Sequence, residues 1–201
     1  MTVMAERTSK VTPRMSVEEF ERIAEFAAVE SESVRLEFIG GRIGVRKMPD
    51  GDHGAIIMWL IRQCMQLRPD LDLDNMQGLR VGKYRKGRAR PDGALAPVGH
   101  FEGEGEWADP DGVLMVLEVT SFDSDTHNRD RKEKPSAYAD AGIPAYLLID
   151  RDDFTLTVHS VPDAATGAYR HRETVAFGER VVLPDPIGIE LDTENLKRYM
   201  R

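Results

Sequence analysis

The feature that most constrains the fold is a nearly continuous apolar run at residues 113–119, interrupted by one carboxylate, Glu118. Such a run is typical of a strand whose two faces are both covered by other parts of the protein. Residues 145–149 form a second apolar run of the same kind. Because buried strands require helices or another sheet on each side, we predict an α/β or α+β domain built around a covered sheet.

Local patterns predict further helices and strands around this sheet. Ser16 and Glu19 form a capping box ahead of an amphipathic helix that ends near residue 29. The pair Gly40-Gly41 predicts a tight hairpin turn. The other predicted elements are strands at 34–39, 42–48, 77–82, 89–97 and 154–159, an apolar helix around 56–64, an acidic loop at 101–112, a short helix ending near 141, and two or three C-terminal strands followed by a short helix.

The length and the composition indicate one globular domain. The chain has 201 residues, and we interpret residues 1–13 as a flexible tail and residues 14–201 as a single domain. The single cysteine, Cys64, cannot form an intramolecular disulfide, which favours a reducing compartment. No apolar stretch approaches the ~20 residues that a membrane-spanning helix needs. We therefore predict a cytoplasmic location and no membrane partner.

The charge of the chain is unevenly distributed. A formal net charge of −8 excludes a protein coated with basic residues, but it leaves room for a local basic patch. Residues 80–90 contain six basic residues and no acidic one, and Tyr84 lies among them, where it could stack on a nucleobase. A solvated hairpin tip is the alternative interpretation. The candidate phosphate-binding residues in this segment are Arg80, Lys83, Tyr84, Arg85, Lys86, Arg88 and Arg90.

Two carboxylates are candidates for chemistry. Glu118 lies in the apolar run, where a charged group is costly unless it is paired, protonated or bound to a cation. Asp92 lies between Pro91 and Gly93 at a predicted bend or strand edge. On neighbouring strands, the two acids would form an oxygen-rich site suited to Mg²⁺ or Mn²⁺. The alternatives are an ordinary Pro-Asp-Gly turn and a buried Glu118 that pairs with an arginine.

A charged segment follows the apolar strand. Residues 130–134 read Asp-Arg-Lys-Glu-Lys and connect that strand to the short helix that carries Tyr138. A run of charges is usually a solvated face. Here the helix is expected to pack on the strand, so Lys134 could fold back toward the acids.

Together these motifs resemble the Uma2 family, bacterial proteins that are similar to the PD-(D/E)xK nuclease superfamily. The resemblance spans residues 15–196, with the motifs in the order and spacing of the family. The residues that carry it are Met15-Ser-Val-Glu-Glu-Phe20, Glu37 with Gly40-Gly41, Met48-Pro49 with His53, Pro91-Asp92, Leu117-Glu-Val-Thr-Ser121, Asp130-Arg-x-x-Lys134 with Tyr138, and Ala141-Gly-Ile-Pro-Ala-Tyr-Leu-Leu-Ile-Asp150.

The resemblance implies both a fold and an activity. The fold is a restriction-endonuclease-like core, a mixed β-sheet flanked by helices, with an additional N-terminal helix and additional C-terminal strands. The activity is metal-dependent hydrolysis of DNA phosphodiester bonds, with Mg²⁺ or Mn²⁺ bound by Asp92 and Glu118. Glu37 and Lys134 would complete the catalytic set, and a homodimer is expected by analogy. His53 could contact substrate or relay a proton, although a histidine that caps its helix is an equally simple interpretation.

Two departures from the family pattern weaken the prediction of catalysis. Many superfamily members carry a lysine two residues after the acid, and that position is Thr120 here. Pro135 directly follows Lys134 and is easiest to place in the first turn of the helix. Lys134 would then lie at the start of the helix, farther from Glu118 than a residue within it. Lys132 is the alternative candidate. The alternative function is therefore that of a catalytically weak or inactive module on the same fold, which binds nucleic acid or has a regulatory role.

Overall fold

The structure is a computed structural model that describes residues 15–31, 34–46, 49–82, 87–120 and 129–200. Its helices are α1 (Val17–Glu30), α2 (Gly51–Leu67) and α3 (Lys134–Asp140), with a π-helical turn at Arg129–Glu133 and a 3₁₀ helix at Thr193–Tyr199. Its strands are β1 (Arg35–Ile39), β2 (Arg42–Arg46), β3 (Leu71–Asp74), β4 (Gly78–Val81), β5 (Gly87–Ala89), β6 (Gly93–Pro97), β7 (Trp107–Ala108), β8 (Met115–Val119), β9 (Ala145–Asp150), β10 (Thr155–Asp163), β11 (Ala168–Ala176), β12 (Arg180–Val182) and β13 (Glu190–Asp192).

Two mixed sheets make up most of the fold. The larger sheet has the order β11-β10-β9-β8-β6-β3, in which β8 and β9 are parallel and the other neighbours antiparallel. The second sheet has the order β2-β1-β5-β4-β7, and β4 and β7 form its parallel pair. A two-stranded ribbon of β12 and β13 follows near the C-terminus. The predicted mixed sheet with flanking helices, an extra N-terminal helix and extra C-terminal strands is confirmed.

The apolar run predicted as a covered strand is β8, and all of its residues are buried. Met115, Leu117 and Val119 pack into the core that includes α2 and the C-terminal elements. Val116 packs into the core on the opposite face, with Tyr138 of α3. Because side chains alternate along a strand, Glu118 shares the face of Val116 and is directed toward α3.

The first helix and hairpin form as their local sequence predicts. Ser16 and Glu19 make both hydrogen bonds of the capping box at the start of α1. Phe20 of α1 stacks on Phe38 of β1 with their ring centroids 5.1 Å apart. Gly40-Gly41 adopts positive φ angles of 60° and 82°, which glycine tolerates and which a tight hairpin between β1 and β2 needs.

The prediction of one strand at residues 89–97 is wrong, because two strands in different sheets occupy this segment. β5 ends at Ala89 in the five-stranded sheet, and β6 begins at Gly93 in the six-stranded sheet. Pro91 has no N–H to donate to a ladder, so the chain can change sheets there. Asp92 therefore lies at the junction of the two sheets, where its N–H donates to Leu117 O at 2.9 Å.

Other elements match the prediction in part. The segment predicted as a loop at 101–112 contains β7, and Trp107 is buried. The C-terminal strands form as predicted, although the terminal helix is of the 3₁₀ type. The predicted tail at residues 1–13 lies outside the described residues. None of the helices in the described part of the chain combines the length and the apolarity that crossing a membrane requires.

Candidate active site

Both sheets and α3 contribute buried charged residues that are linked by a chain of contacts, here called the centre, which Asp92 joins through Arg46 and the backbone of Arg90. Glu37 lies in β1, Asp92 in the link between β5 and β6, and Glu118 in β8, while Lys134 is the first residue of α3. Each of these residues is at most 5% exposed. Lys134 Nζ lies 2.8 Å from Glu118 Oε2 and 3.5 Å from Glu37 Oε1. The structure therefore brings Lys134 together with two of the three predicted acids.

The position of Lys134 follows from the local geometry of its helix. Pro135 lies in the first turn of α3, where a missing N–H costs nothing. One helical turn earlier, the buried Asp130 places Oδ1 3.1 Å from Lys134 Nζ. Burial opposes the charge on Lys134, but Asp130, Glu118 and Glu37 outweigh it and raise its pKa. Lys132, the alternative candidate, is exposed, so the structure places Lys134 in the centre instead.

Glu118 has a second hydrogen-bond partner on α3. Tyr138 Oη donates to Glu118 Oε1 at 2.8 Å, one turn beyond Lys134. Burial raises the pKa of Glu118 to about 7, although Lys134 acts in the opposite direction. We call Glu37, Glu118, Asp130, Lys134 and Tyr138 the Glu118 half of the centre.

Glu37 is held as an anion by its neighbours. Arg129 Nη2 donates to Glu37 Oε2 at 3.0 Å, and the Arg90 N–H donates to Oε1 at 2.8 Å. Burial acts to raise the pKa of Glu37, but Lys134 and Arg129 outweigh it and keep the pKa below its ordinary value. The Arg129 guanidinium occupies the space above Gly44 of β2, where any Cβ would overlap it. Gly44 therefore permits the contact between Arg129 and Glu37.

Asp92 is fixed by donors from three other elements. Its Oδ2 accepts from the Val119 N–H at 2.7 Å and lies 3.0 Å from His53 Nε2. Its Oδ1 forms an ion pair with Nη2 of Arg46, the last residue of β2. We call Arg46, His53 and Asp92 the Asp92 half of the centre.

His53 is a neutral ring that orients Asp92. Its Nε2 lies 3.0 Å from both Asp92 Oδ2 and the Val119 carbonyl oxygen, so a proton on Nε2 suits both acceptors. Burial and the nearby Arg46 lower the pKa of His53 to about 4. The cap of α2 is Asp50, whose side chain accepts from the His53 N–H. The interpretation of His53 as a capping residue is therefore wrong.

Asp92 and Glu118 are the residues of the centre that could hold a divalent cation. Asp92 and Glu118 supply buried carboxylate oxygens, the ligands that Mg²⁺ and Mn²⁺ prefer. Across the residues that the structure describes, no three His, Cys, Asp or Glu side chains are arranged to hold a metal ion. Protein cations contact the acids instead, and the four carboxylates outnumber the three cations, which are Arg46, Arg129 and Lys134. A cation bound to Asp92 and Glu118 would share their oxygens with these protein cations or displace them.

The predicted phosphate-binding residues differ in their surroundings. Arg88 Nε donates to Glu21 at 2.7 Å, while Arg90 pairs with Glu106 and lies 4.3 Å from the centroid of the Trp107 ring. Arg80 is exposed on β4. The other candidates lie outside the described residues, namely Lys83, Tyr84, Arg85 and Lys86.

Several residues of the centre were absent from the predicted set. Asp130 and Tyr138 lie four positions before and after Lys134, so helical spacing could have indicated both of them. Arg46 and Arg129 carry no local signal, because only the pairing of β2 with β1 and the return of the chain before α3 bring them near the acids.

Comparisons with known proteins agree with this architecture. The sequence model of the Uma2 family, described as "Putative restriction endonuclease", matches residues 17–194. The crystal structure of a protein from Anabaena variabilis ATCC 29413, described as "a putative nuclease belonging to DUF820", is 17% identical with a TM-score of 0.67. The match covers 93% of this chain and 99% of that one, and it shows a shared fold. Among curated proteins, no sequence matches significantly.

Proposed function

The chain belongs to the Uma2 family, and we propose that it is a divalent-metal-dependent endonuclease that hydrolyses DNA phosphodiester bonds. The observation that carries the proposal is the convergence of Glu37, Glu118 and Lys134, from two sheets and a helix, in one buried cluster. Asp92 is linked to this cluster through Arg46, whose Nη1 donates to the carbonyl oxygen of Arg90, the residue whose N–H donates to Glu37. Burying so many charges is costly for folding, and such clusters concentrate at functional sites.

In this proposal Asp92 and Glu118 hold the metal. When bound, Mg²⁺ or Mn²⁺ supplies Lewis-acid stabilisation of phosphate charge and lowers the pKa of a bound water. His53 and the Val119 N–H fix Asp92 Oδ2, and Tyr138 fixes Glu118 Oε1. In each carboxylate one oxygen is thus oriented by uncharged donors, while a protein cation, Arg46 or Lys134, contacts the other oxygen.

Lys134 is the proposed catalytic cation. Its ammonium stabilises negative charge that develops on the phosphate, or orients the attacking water once one of its three carboxylate partners is released. Glu37 and Asp130 lie 3.5 and 3.1 Å from Nζ and position it. Because their charges keep Lys134 protonated, it acts as a donor rather than as a base.

The DNA partner is supported by the basic segment that leads into Asp92. Among its described residues, the exposed Arg80 suits phosphate contact, whereas Arg88 and Arg90 already have acidic partners. The residues outside the described ranges, Lys83, Tyr84, Arg85 and Lys86, remain predicted contacts. Loss of one phosphate contact lowers affinity and reduces its salt dependence.

A nicking assay tests the catalytic proposal. Purified protein is incubated with supercoiled plasmid and increasing Mg²⁺ or Mn²⁺, alongside Asp92→Asn and Lys134→Met. Asp72→Asn is the matched control, because Asp72 is an exposed acid on β3. We expect metal-dependent nicking by the wild type and the control, and a loss of at least about 100-fold in the other two. Absence of metal-dependent nicking by the wild type would refute catalysis.

A second candidate function is binding of nucleic acid without efficient cleavage. Thr120 occupies the position of the usual superfamily lysine, and its Oγ1 accepts from the Arg151 N–H at 2.8 Å, which is a structural role. Salt-dependent DNA binding that survives Asp92→Asn, measured by fluorescence anisotropy without any cleavage, would favour this function.

The oligomeric state remains a prediction. The homodimer is expected only by analogy with other nucleases of this fold. Sedimentation equilibrium of the purified chain tests it, and a monomer mass at all concentrations would contradict it.

A further inference from the structure

We propose that Arg46 is a phosphate-binding residue that Asp92 holds at the centre until a divalent cation and DNA arrive. In this inference, which rests on the proposed function, the metal displaces Arg46 Nη2 from Asp92 Oδ1, and Nη2 then donates to a DNA phosphate. Arg46 thus weakens metal binding by the DNA-free protein and binds substrate in the loaded one.

The two carboxylate oxygens of Asp92 differ in how many protein partners each of them has. Oδ2 already receives the Val119 N–H at 2.7 Å and the His53 ring at 3.0 Å, both from well-packed elements. Oδ1 is bound by Arg46 alone among the contacts that the structure records for it. A cation that binds Asp92 through its freer oxygen must therefore compete with the Arg46 guanidinium for Oδ1.

Arg46 is anchored at a second point that does not involve Asp92. Its Nη1 donates to the carbonyl oxygens of Arg90 and Pro91, at 2.6 and 2.9 Å. These bonds tie the guanidinium to the junction between the sheets whichever anion Nη2 contacts. A rotation about this anchor can exchange partners at Nη2 while Nη1 keeps its bonds. A guanidinium, with several N–H donors in one plane, can contact the backbone and a phosphate together.

The location of Arg46 allows this exchange. The side chain is 24% exposed, whereas the side chain of Lys134 is only 6% exposed. Among the described residues, β2 pairs only with β1 and forms an edge of its sheet. Arg46 is therefore the contacting cation of the centre that an approaching phosphate can reach most easily.

A binding experiment on the full chain tests the first half of the inference. The affinity for Mn²⁺ alone is measured by calorimetry for the wild type, Arg46→Met and Arg46→Lys. Arg42→Met is the matched control, since Arg42 lies on the same strand, is exposed and pairs with Glu133. We expect Arg46→Met to bind Mn²⁺ roughly tenfold more tightly, Arg46→Lys to be intermediate, and Arg42→Met to match the wild type.

A second titration includes a short single-stranded DNA whose phosphorothioate linkages resist hydrolysis. In the wild type, this DNA should raise the Mn²⁺ affinity at least about fivefold, because its phosphates accept Nη2 and free Asp92. In Arg46→Met the increase should be at least threefold smaller, since no guanidinium has to move. DNA binding by Arg46→Met in the presence of Mn²⁺ should be correspondingly weaker.

The outcomes separate this inference from the proposed function. If the wild type binds Mn²⁺ and Asp92→Asn does not, the metal site stands. An unchanged or weaker Mn²⁺ affinity in Arg46→Met then overturns the role of Arg46 alone. An equal increase in Mn²⁺ affinity when DNA is added to the wild type and to Arg46→Met also overturns the role of Arg46 alone. Failure of the wild type and Arg46→Met to bind Mn²⁺ overturns both. Circular dichroism melting of each variant verifies that the compared proteins are folded.

Discussion

The two halves of the centre contain similar acids but differ in how their cations are held. In the Glu118 half, Lys134 is buried between three carboxylates and is fixed by the start of α3. In the Asp92 half, Arg46 comes from an edge strand and is partly exposed. The first half resembles a permanent part of the core, whereas the second can exchange its cation.

This difference shows how one cluster can support both folding and binding. A buried acid whose only cation is removed is left uncompensated in a low dielectric, which is strongly destabilising. A pair with a partly exposed cation contributes less, because water can solvate that cation after separation and a buried acid with other donors stays partly compensated. We therefore expect substitutions in the Glu118 half to affect stability most, and substitutions in the Asp92 half to affect ligand binding most.

The largest expected effect is that of Lys134→Met. It removes the cation that Glu37, Glu118 and Asp130 share, so the free energy of unfolding should fall by about 3–5 kcal/mol. Urea denaturation measures this change. Lys132→Met, at an exposed position of the same segment, should change it by no more than about 0.5 kcal/mol. A loss below about 1 kcal/mol in Lys134→Met would contradict the structural role of this half.

A smaller effect is expected from Tyr138→Phe. It removes the hydroxyl that donates to Glu118 Oε1 and leaves that buried oxygen without this donor, at a cost of about 2 kcal/mol. Tyr169→Phe is the matched control, because its hydroxyl donates at 2.9 Å to the neutral Ile143 carbonyl, and about 1 kcal/mol is expected there. Equal losses in the two variants would show that the Glu118 contact is not special.

Gly44→Ala tests how Glu37 is held. The added Cβ would overlap the Arg129 guanidinium, so Arg129 has to leave Glu37, and a loss of about 1.5 kcal/mol is expected. Gly54→Ala in α2 is the control with the opposite sign. No atom lies within 4 Å of its added Cβ, so a gain of about 0.5–1 kcal/mol is expected. Thermal denaturation shows whether each variant is stabilised or destabilised. An unchanged stability in Gly44→Ala would contradict the packing of Arg129.

The smallest expected effect on stability is that of Arg46→Met, at about 1 kcal/mol or less. Asp92 is buried, but it keeps the Val119 N–H and His53 as hydrogen-bond partners, and the Arg46 side chain that it loses is 24% exposed. Urea denaturation in the presence of a chelator measures this effect. A loss of stability equal to that of Lys134→Met would show that the cations of the two halves contribute equally to folding, which contradicts the proposed difference.

Much of the fold could be predicted because its signals are local. The capping box of α1, the Gly40-Gly41 turn and the apolar run of β8 each depend on a few adjacent residues, and all three formed as predicted. The division of residues 89–97 between two sheets could not be predicted, because sheet membership depends on pairing with distant strands. The short strands β3 and β7 were missed for the same reason.

The residues of the site could also be predicted only in part. The acids and Lys134 could be named from motifs of a known family, and the structure brings Lys134 into contact with Glu37 and Glu118. Their partners Arg46 and Arg129 could not be named, because their contacts with Asp92 and Glu37 join residues 46 and 92 positions apart. Those contacts decide which carboxylate oxygens are free, so the chemistry of the centre depends on information that the local sequence lacks.

The proposed nuclease requires that Asp92 and Glu118 hold one divalent cation between them. Anomalous diffraction at the manganese edge, from crystals of the full chain soaked in Mn²⁺, locates such a cation. We expect a manganese peak in contact with both carboxylates, with Arg46 Nη2 withdrawn from Asp92. No peak at these carboxylates at saturating Mn²⁺, with Arg46 still paired to Asp92, would contradict it.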